Sequence, residues 1–282
     1  MLSTMKILYI TDLHGSKWKY KRSIELAESL KVKAIINGGD MFTVTPTLFK
    51  QDEFIKTFLN DYFSNLNEKK IYHLGYPGND DLMIFDDLFG EICKKYPYVY
   101  NLAQKKVKLK NFEFIGMNWV LDYPFRLKDR CRIDTEDYKF QAQYGKAVYS
   151  SENGWKKIKD WFSYAKTLPT LKDELETLPK PKDMEKSVYV LHMPPSGCGL
   201  DICQDGQRVG SKAVYDFIAK HQPLFTLHGH IHESPDLSKN WVHHINNTIT
   251  IQPGQSQLNE NFLVYVLLDL KEMTYERNRD LK

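Results

Sequence analysis

The sequence predicts an α/β fold organised as a layered sheet. Three observations carry this reading. Apolar, β-prone runs recur at residues 6–10, 32–36 and 70–74, stretches of helical apolar spacing separate them, and each run ends in a loop that sets glycine beside Asp, Asn or His. Alternation of strand and helix through the first 118 residues is what a sheet with helices on its faces requires.

Lys6-Ile7-Leu8-Tyr9-Ile10 reads as a buried strand running into Thr11-Asp12-Leu13-His14-Gly15. Side chains two apart in an extended segment share a face, so Asp12 and His14 can hold one ion together; singly, they read equally well as a turn cap and a loop histidine. Ile24, Ala27 and Leu30 give a helix over residues 23–30, and the strand at 32–36 then ends in Asn37-Gly38-Gly39-Asp40. Two glycines permit close backbone approach at a carboxyl end, where open α/β sheets place their ligands, so Asp40 is a second candidate beside its reading as a turn cap. Phe54, Ile55, Phe58, Leu59, Tyr62, Phe63 and Leu66 form a helical stripe for the core. The strand at 70–74 leads to Tyr76-Pro77-Gly78-Asn79-Asp80-Asp81, a common turn composition that also offers ligand atoms. Ile84, Leu88 and Ile92 predict another amphipathic helix, and residues 107–109 with 112–115 predict a hairpin turning near Asn111.

Residues 119–186 interrupt this rhythm and read as an inserted, mainly helical segment over the sheet ends. It carries Tyr123-Pro124-Phe125-Arg126-Leu127-Lys128-Asp129-Arg130 and the aromatics Tyr138, Phe140, Tyr144 and Tyr149. A helix with Trp155, Ile158, Trp161, Phe162 and Ala165 follows, then another between proline-bearing linkers over 166–186. The basic and aromatic residues suit a substrate lid; the aromatics equally suit a satellite core with a solvated rim. The sheet resumes at Ser187–Leu191 before His192-Met193-Pro194-Pro195. Residues 197–209 form a loop, and Gly210-Ser211 opens a helix through Val214, Phe217 and Ile218. Leu224-Phe225-Thr226-Leu227 then delivers His228-Gly229-His230-Ile231-His232, three histidines in five residues at a strand end. Gly229 lets His230 and His232 face one point, as ligands of a transition metal would. Residues 242–251 and 262–270 supply the last strands, the latter buried on both faces.

Composition narrows the function. With 39 basic and 36 acidic residues the net charge is only +3, which argues against a polymer-binding face and hence against nucleic acid. Four cysteines are too sparse for a disulfide framework and suit a reducing cytoplasm. No run approaches the roughly 20 apolar residues that cross a bilayer, and none forms a signal-peptide core. A soluble, cytoplasmic chain with no membrane partner is expected.

In chain order, Asp-x-His (Asp12, His14), Gly-Asp (Asp40), Gly-Asn (Asn79), a lone histidine after a strand (His192) and Gly-His-x-His (His230, His232) resemble the calcineurin-like metallophosphoesterases. Gly-Asn-Asp-Asp at the third motif looks like a microbial branch of that superfamily. The resemblance implies a four-layer αββα sandwich over a single domain of residues 1–282, with the site at the sheets' carboxyl ends. It implies one divalent ion on Asp12, His14, Asp40 and His232 and a second on Asp40, Asn79, His192 and His230, with Asp40 bridging. Such ions, about 3.5–4 Å apart, acidify a shared water, and the resulting metal-bound hydroxide attacks a small or nucleotide-like phosphate ester. Mixed nitrogen and oxygen donors suit Mn, Fe or Zn.

Many relatives carry a histidine after Gly-Asn, an aspartate three residues beyond the bridging Asp, and a phosphate-binding arginine after that. Here those positions are Asp80, Thr43 and Val44. The leaving-group acid is thus missing as a unit, which disfavours a Ser/Thr protein phosphatase; Asp80 beside two dications is expected to stay a carboxylate. Arg126, Lys128 or Arg130 is expected to contact phosphate in place of the missing arginine. His73 is the nearest sequence candidate for a substitute acid, with a structural strand histidine the stronger reading. Of the alternatives, a repair-type nuclease would need a basic groove and a non-catalytic scaffold would show lost ligands.

Overall fold

The computed structural model describes residues 5–255 and 261–282. Strand β1 (Lys6–Ile10) feeds helix α1 (Lys17–Ser29), which starts earlier than its apolar spacing indicates because the Ser16 side chain caps it, accepting from the Lys19 amide. Strands β2 (Ala34–Asn37), β3 (Tyr72–Gly75) and β4 (Val99–Asn101) continue parallel to β1. Between β2 and β3 lie α2 (Gln51–Phe54), a π-helical turn at Ile55–Leu59, and α3 (Asn60–Glu68); α4 (Asp86–Lys94) joins β3 to β4. The expected hairpin is β5 (Lys106–Leu109) and β6 (Phe112–Met117).

Residues 119–186 hold β7 (Val120–Leu121), β8 (Cys131–Arg132), the hairpin β9 (Val148–Ser151) and β10 (Gly154–Lys157), and the helices α5 (Trp161–Ala165) and α6 (Leu171–Thr177). Strands thus share the segment with two short helices, which is less helical than expected. Trp155 lies on β10 and not in the helix, because Asp160 starts α5 by accepting from the Ser163 amide. Then come β11 (Ser187–Leu191), α7 (Lys212–His221, capped by Ser211), β12 (Phe225–Leu227), α8 (Ser234–Ser238), the hairpin β13 (Val242–Ile245) and β14 (Thr248–Ile251), and the pair β15 (Phe262–Asp269) and β16 (Thr274–Leu281).

These strands form two six-stranded sheets, ordered β16-β15-β1-β2-β3-β4 and β13-β14-β12-β11-β6-β5. Alternate side chains decide the layers. Ile7, Tyr9, Ile36 and Leu74 of one sheet meet Phe114, Val188, Val190 and Leu227 of the other in a shared core. Leu8, Ile10 and Ile35 face outward beneath α1 to α4, while Ile115, Met117, Tyr189 and Leu191 pack beneath α5, α6 and α7. The result is the four-layer αββα sandwich. Register brings Ile10, Asn37 and Gly75 level, and likewise Met117 with Leu191 and Val190 with Leu227, so the loops after β1, β2, β3, β11 and β12 open at one end. Among the described residues, no helix is long and apolar enough to cross a membrane.

Candidate metal centre

The loops at that end are locked to one another before any side chain is considered. The Asp12 amide donates to Gly39 O and the His14 amide to Asp40 O, at 3.0 and 2.9 Å, and the Gly229 amide donates to His192 O at 3.0 Å. A side chain at Gly78 would strike the Asp40 backbone, and one at Gly229 would strike Thr11 and Asp12, so glycine lets the β3 loop touch its neighbour in the same sheet and the β12 loop touch the β1 loop of the other sheet. Asp12, His14, Asp40 and His230 all have left-handed backbone, with φ of 55°, 43°, 48° and 71°. Such strain in non-glycine residues, four times over in one place, is held by the surrounding pairing and aims the side chains inward.

Donor atoms of Asp12, His14, Asp40 and His232 all fall within 4.8 Å of one another. His14 and His232 approach Nε2 to Nε2 at 3.1 Å. Next to them, Asn79 Oδ1 sits 2.9 Å from His192 Nε2 and 2.7 Å from His230 Nδ1, and His192 Nε2 is 3.5 Å from Asp40 Oδ2. Asp40 therefore stands between the two groups, also 3.9 Å from His14. The buried Asp12 Oδ2 has no hydrogen-bond partner. The other oxygen, Oδ1, lies 3.7 Å from His232 Nε2 and 4.0 Å from His192 Nε2, and a desolvated carboxylate among nitrogens that converge on each other is a donor set that fits divalent cations. His228, the remaining histidine of the cluster, is structural: its Nδ1 lies 2.9 Å from both Leu191 O and Met193 O, and its Nε2 lies 2.9 Å from Thr226 Oγ1.

Burial pushes His14 and His230 down to about 3, leaving both rings neutral, as ligation requires. Burial would also lower His192, but Asp40 and then Asp12 outweigh it and raise the ring to about 9. Asp40 is held well below the usual carboxylate range: burial opposes this, and His192 and His14 overcome it. Asp80 is partly exposed at the rim, with Oδ2 3.7 Å from His14 Nδ1. Burial, then Asp40 and Asp81, raise its carboxyl, so the carboxylate expected at this position depends on the charge of bound ions.

Two of the three expected phosphate-binding cations are occupied elsewhere. Lys128 is buried against Asp122 Oδ1 at 2.7 Å, and the guanidinium of the buried Arg130 forks onto Asp86 and donates to Gly78 O at 2.6 Å. Arg126 is exposed and donates to Lys146 O; none of the three lines the cleft. Nor does His73 reach it, being fully buried between the Tyr62 and Phe63 rings on the helix side of β3. The cleft over the donors measures about 880 Å³, and residues from 121–144 and from 203–210 contribute to its lining. Its one Lys or Arg among the described residues is Arg208, in a stretch that reads from sequence only as loop. Asp81 reads from sequence only as part of a turn that offers ligand atoms, whereas its carboxylate accepts from the amides of Met41, Phe42 and Gly78 at 2.8, 2.7 and 2.7 Å, tying the Asp40 loop to the Asn79 loop.

A sandwich whose carboxyl-end loops gather aspartates, histidines and an asparagine defines a metal-dependent hydrolase. Residues 5–234 match the calcineurin-like phosphoesterases, and the chain belongs to that family of phosphoric ester hydrolases, which use divalent metals. TT1561 of Thermus thermophilus is similar in structure over 98% of this chain and 99% of its own, with a TM-score of 0.59 and 15% identity, a likeness of fold. An archaeal phosphodiesterase covers 98% of this chain and 99% of its own at 11% identity and a TM-score of 0.48. A dimetal phosphatase from Danio rerio covers 98% of each at 11% and 0.47. No curated protein matches the chain.

Proposed function

We propose that the chain hydrolyses a small or nucleotide-like phosphate ester at a site for two divalent ions, Mn, Fe or Zn. One ion would sit on Asp12, His14, Asp40 and His232, the other on Asp40, Asn79, His192 and His230. The observation that carries this reading is the position of Asp40, whose Oδ2 lies within 4.0 Å of a histidine from each group. When bound, such ions supply an acidified water and positive charge for the phosphoryl oxygens. The chain's own part is orientation. Gly38 O fixes the His192 ring through Nδ1 at 2.7 Å, leaving Nε2 to face the centre, and the Asp80 amide holds Asp40 Oδ1 at 2.9 Å. Asp80 lacks the surroundings of a proton donor once dications are present, so poor leaving groups depart slowly. Residues 119–186 form an insertion within one domain and wall the substrate cleft. Four free cysteines support a cytoplasmic setting. Metal analysis of reconstituted protein, with a panel of phosphomonoesters and phosphodiesters, tests the reading. At most one ion per chain, or no cleavage of any ester, would overturn it.

A further inference from the structure

The cleft has a feature that metal binding does not need, a file of aromatic rings leading outward from the donors. The Tyr123 ring lies 5.9 Å from that of His230, Phe125 lies 5.9 Å from Tyr123, and Tyr144 lies 5.7 Å from Phe125. All three line the cleft. The outer two are exposed by 61% and 64%, among the most exposed large hydrophobic side chains of the described residues. Leaving such rings in water costs free energy that a core would recover, and clustered exposure of this kind marks a binding surface.

The wall is also held in place. The Tyr144 amide donates to Pro124 O at 2.7 Å, the Val148 amide donates to Arg126 O at 2.8 Å, and the Lys128 ammonium lies 4.9 Å from the Tyr123 ring centre. Residues 202–208, several of which also line the cleft, form a narrow turn closed by the Cys203 amide on Gln207 O at 2.9 Å and the Gly206 amide on Cys203 O at 2.8 Å. Arg208 sits on this turn, bridged through its backbone to Ile202, with its side chain exposed and its charge felt by Asp201.

We propose that Tyr123, Phe125 and Tyr144 form a subsite that stacks a planar aromatic group carried by the phosphate ester, with the Arg208 guanidinium covering the ring's other face. The inference rests on the phosphoesterase reading and names its substrate class. Aromatic faces bind any planar π-system, and a guanidinium stacks on the opposite side by cation–π attraction. The ring can belong to a nucleobase or a simple aryl group, which the experiment separates.

The test is titration calorimetry of the metal-loaded protein with three phosphonates that cannot be hydrolysed: methylphosphonate, benzylphosphonate and the 5′-methylenephosphonate analogue of AMP. An aromatic phosphonate should bind wild type roughly ten- to hundredfold tighter than methylphosphonate. That advantage should vanish in Phe125→Ala/Tyr144→Ala, with methylphosphonate affinity unchanged, and the ratio of the two affinities should fall about fivefold in Arg208→Ala. Both exposed rings can be truncated without opening the core. An advantage shared by benzylphosphonate identifies a general aryl subsite; one confined to the AMP analogue identifies a nucleobase subsite. Equal affinity for all three ligands, or an advantage that survives the double substitution, would overturn the proposal while leaving the phosphate site standing. Failure of methylphosphonate to bind, together with no cleavage of any ester, would overturn both.

Discussion

Asp40 is the residue on which the centre turns, because both donor groups face its carboxylate. Asp40→Asn should reduce bound metal to at most one ion per chain and lower kcat/KM at least ~100-fold. Elemental analysis and steady-state kinetics on the same preparation check this. Asp80 should matter less: Asp80→Asn is expected to cost roughly tenfold or less, His192→Ala far more, and activated aryl esters should outpace alkyl esters. A Brønsted plot that is flat in wild type and steepens in Asp80→Asn would show Asp80 acting as the acid. His73 gives a separate pH effect. Burial lowers its pKa from 6.5 to about 3, and neither ring nitrogen has a partner. Between those values the unfolded chain binds the proton and the folded chain does not, so its contribution to stability is lost as pH falls below 6.5. From pH 6.5 to 4.5 this amounts to about 2–3 kcal/mol, and urea melts of His73→Leu should show an acid limb flatter by that amount. The donor residues are legible in the sequence because each follows a recognisable strand. The roles of Lys128 and Arg130 are not, since a basic run does not reveal that Asp122 and Asp86 fold back to meet it.

At the scale of elements, the loop after β3 is held from two sides. Asp81 binds it to the Asp40 loop, and Arg130, just before β8, reaches in to Gly78 O and Asp81 O. Arg130→Met should destabilise the fold by about 3 kcal/mol by stranding these acceptors. It should also weaken metal affinity about tenfold by freeing Asn79. Arg130→Lys should recover only part of either, because an ammonium lacks the planar fork that spans Asp86. Chemical melts and metal-competition titrations measure both; unchanged metal affinity in Arg130→Met would confine the arginine to stability. The hairpin of β9 and β10 illustrates what the sequence hides. Asn153-Gly154 is a turn signal, but the apolar spacing from Trp155 onward imitates a helix that begins only at Trp161. β16 escapes pattern reading because Thr274–Leu281 alternates exposed and half-buried positions with charged side chains, as an edge strand does.

Across the whole molecule, three donor loops belong to one sheet and two to the other, so an occupied centre fastens the halves together. Free metal at about 1,000 times its Kd should add about 4 kcal/mol and raise Tm by roughly 10 °C, reversed by chelation. Calorimetry with and without chelator checks this; identical melting would place the donors on one unfolding unit. The layered architecture is legible from strand and helix alternation, whereas the pairing of distant strands is not, and that pairing has a consequence for biosynthesis. Every candidate donor lies at or before residue 232, yet β1, whose following loop carries the first two, is flanked on one side by β15, with Lys6 opposite Asp269 and Tyr9 opposite Val266. A nascent chain that has released all its histidines from the ribosome still has the apolar strand Lys6–Ile10 unpaired along that side. A chain stopped at residue 255 should therefore neither fold nor retain metal although it holds every donor. Translation of the last strands then sets the moment at which the assembled donors can first hold metal.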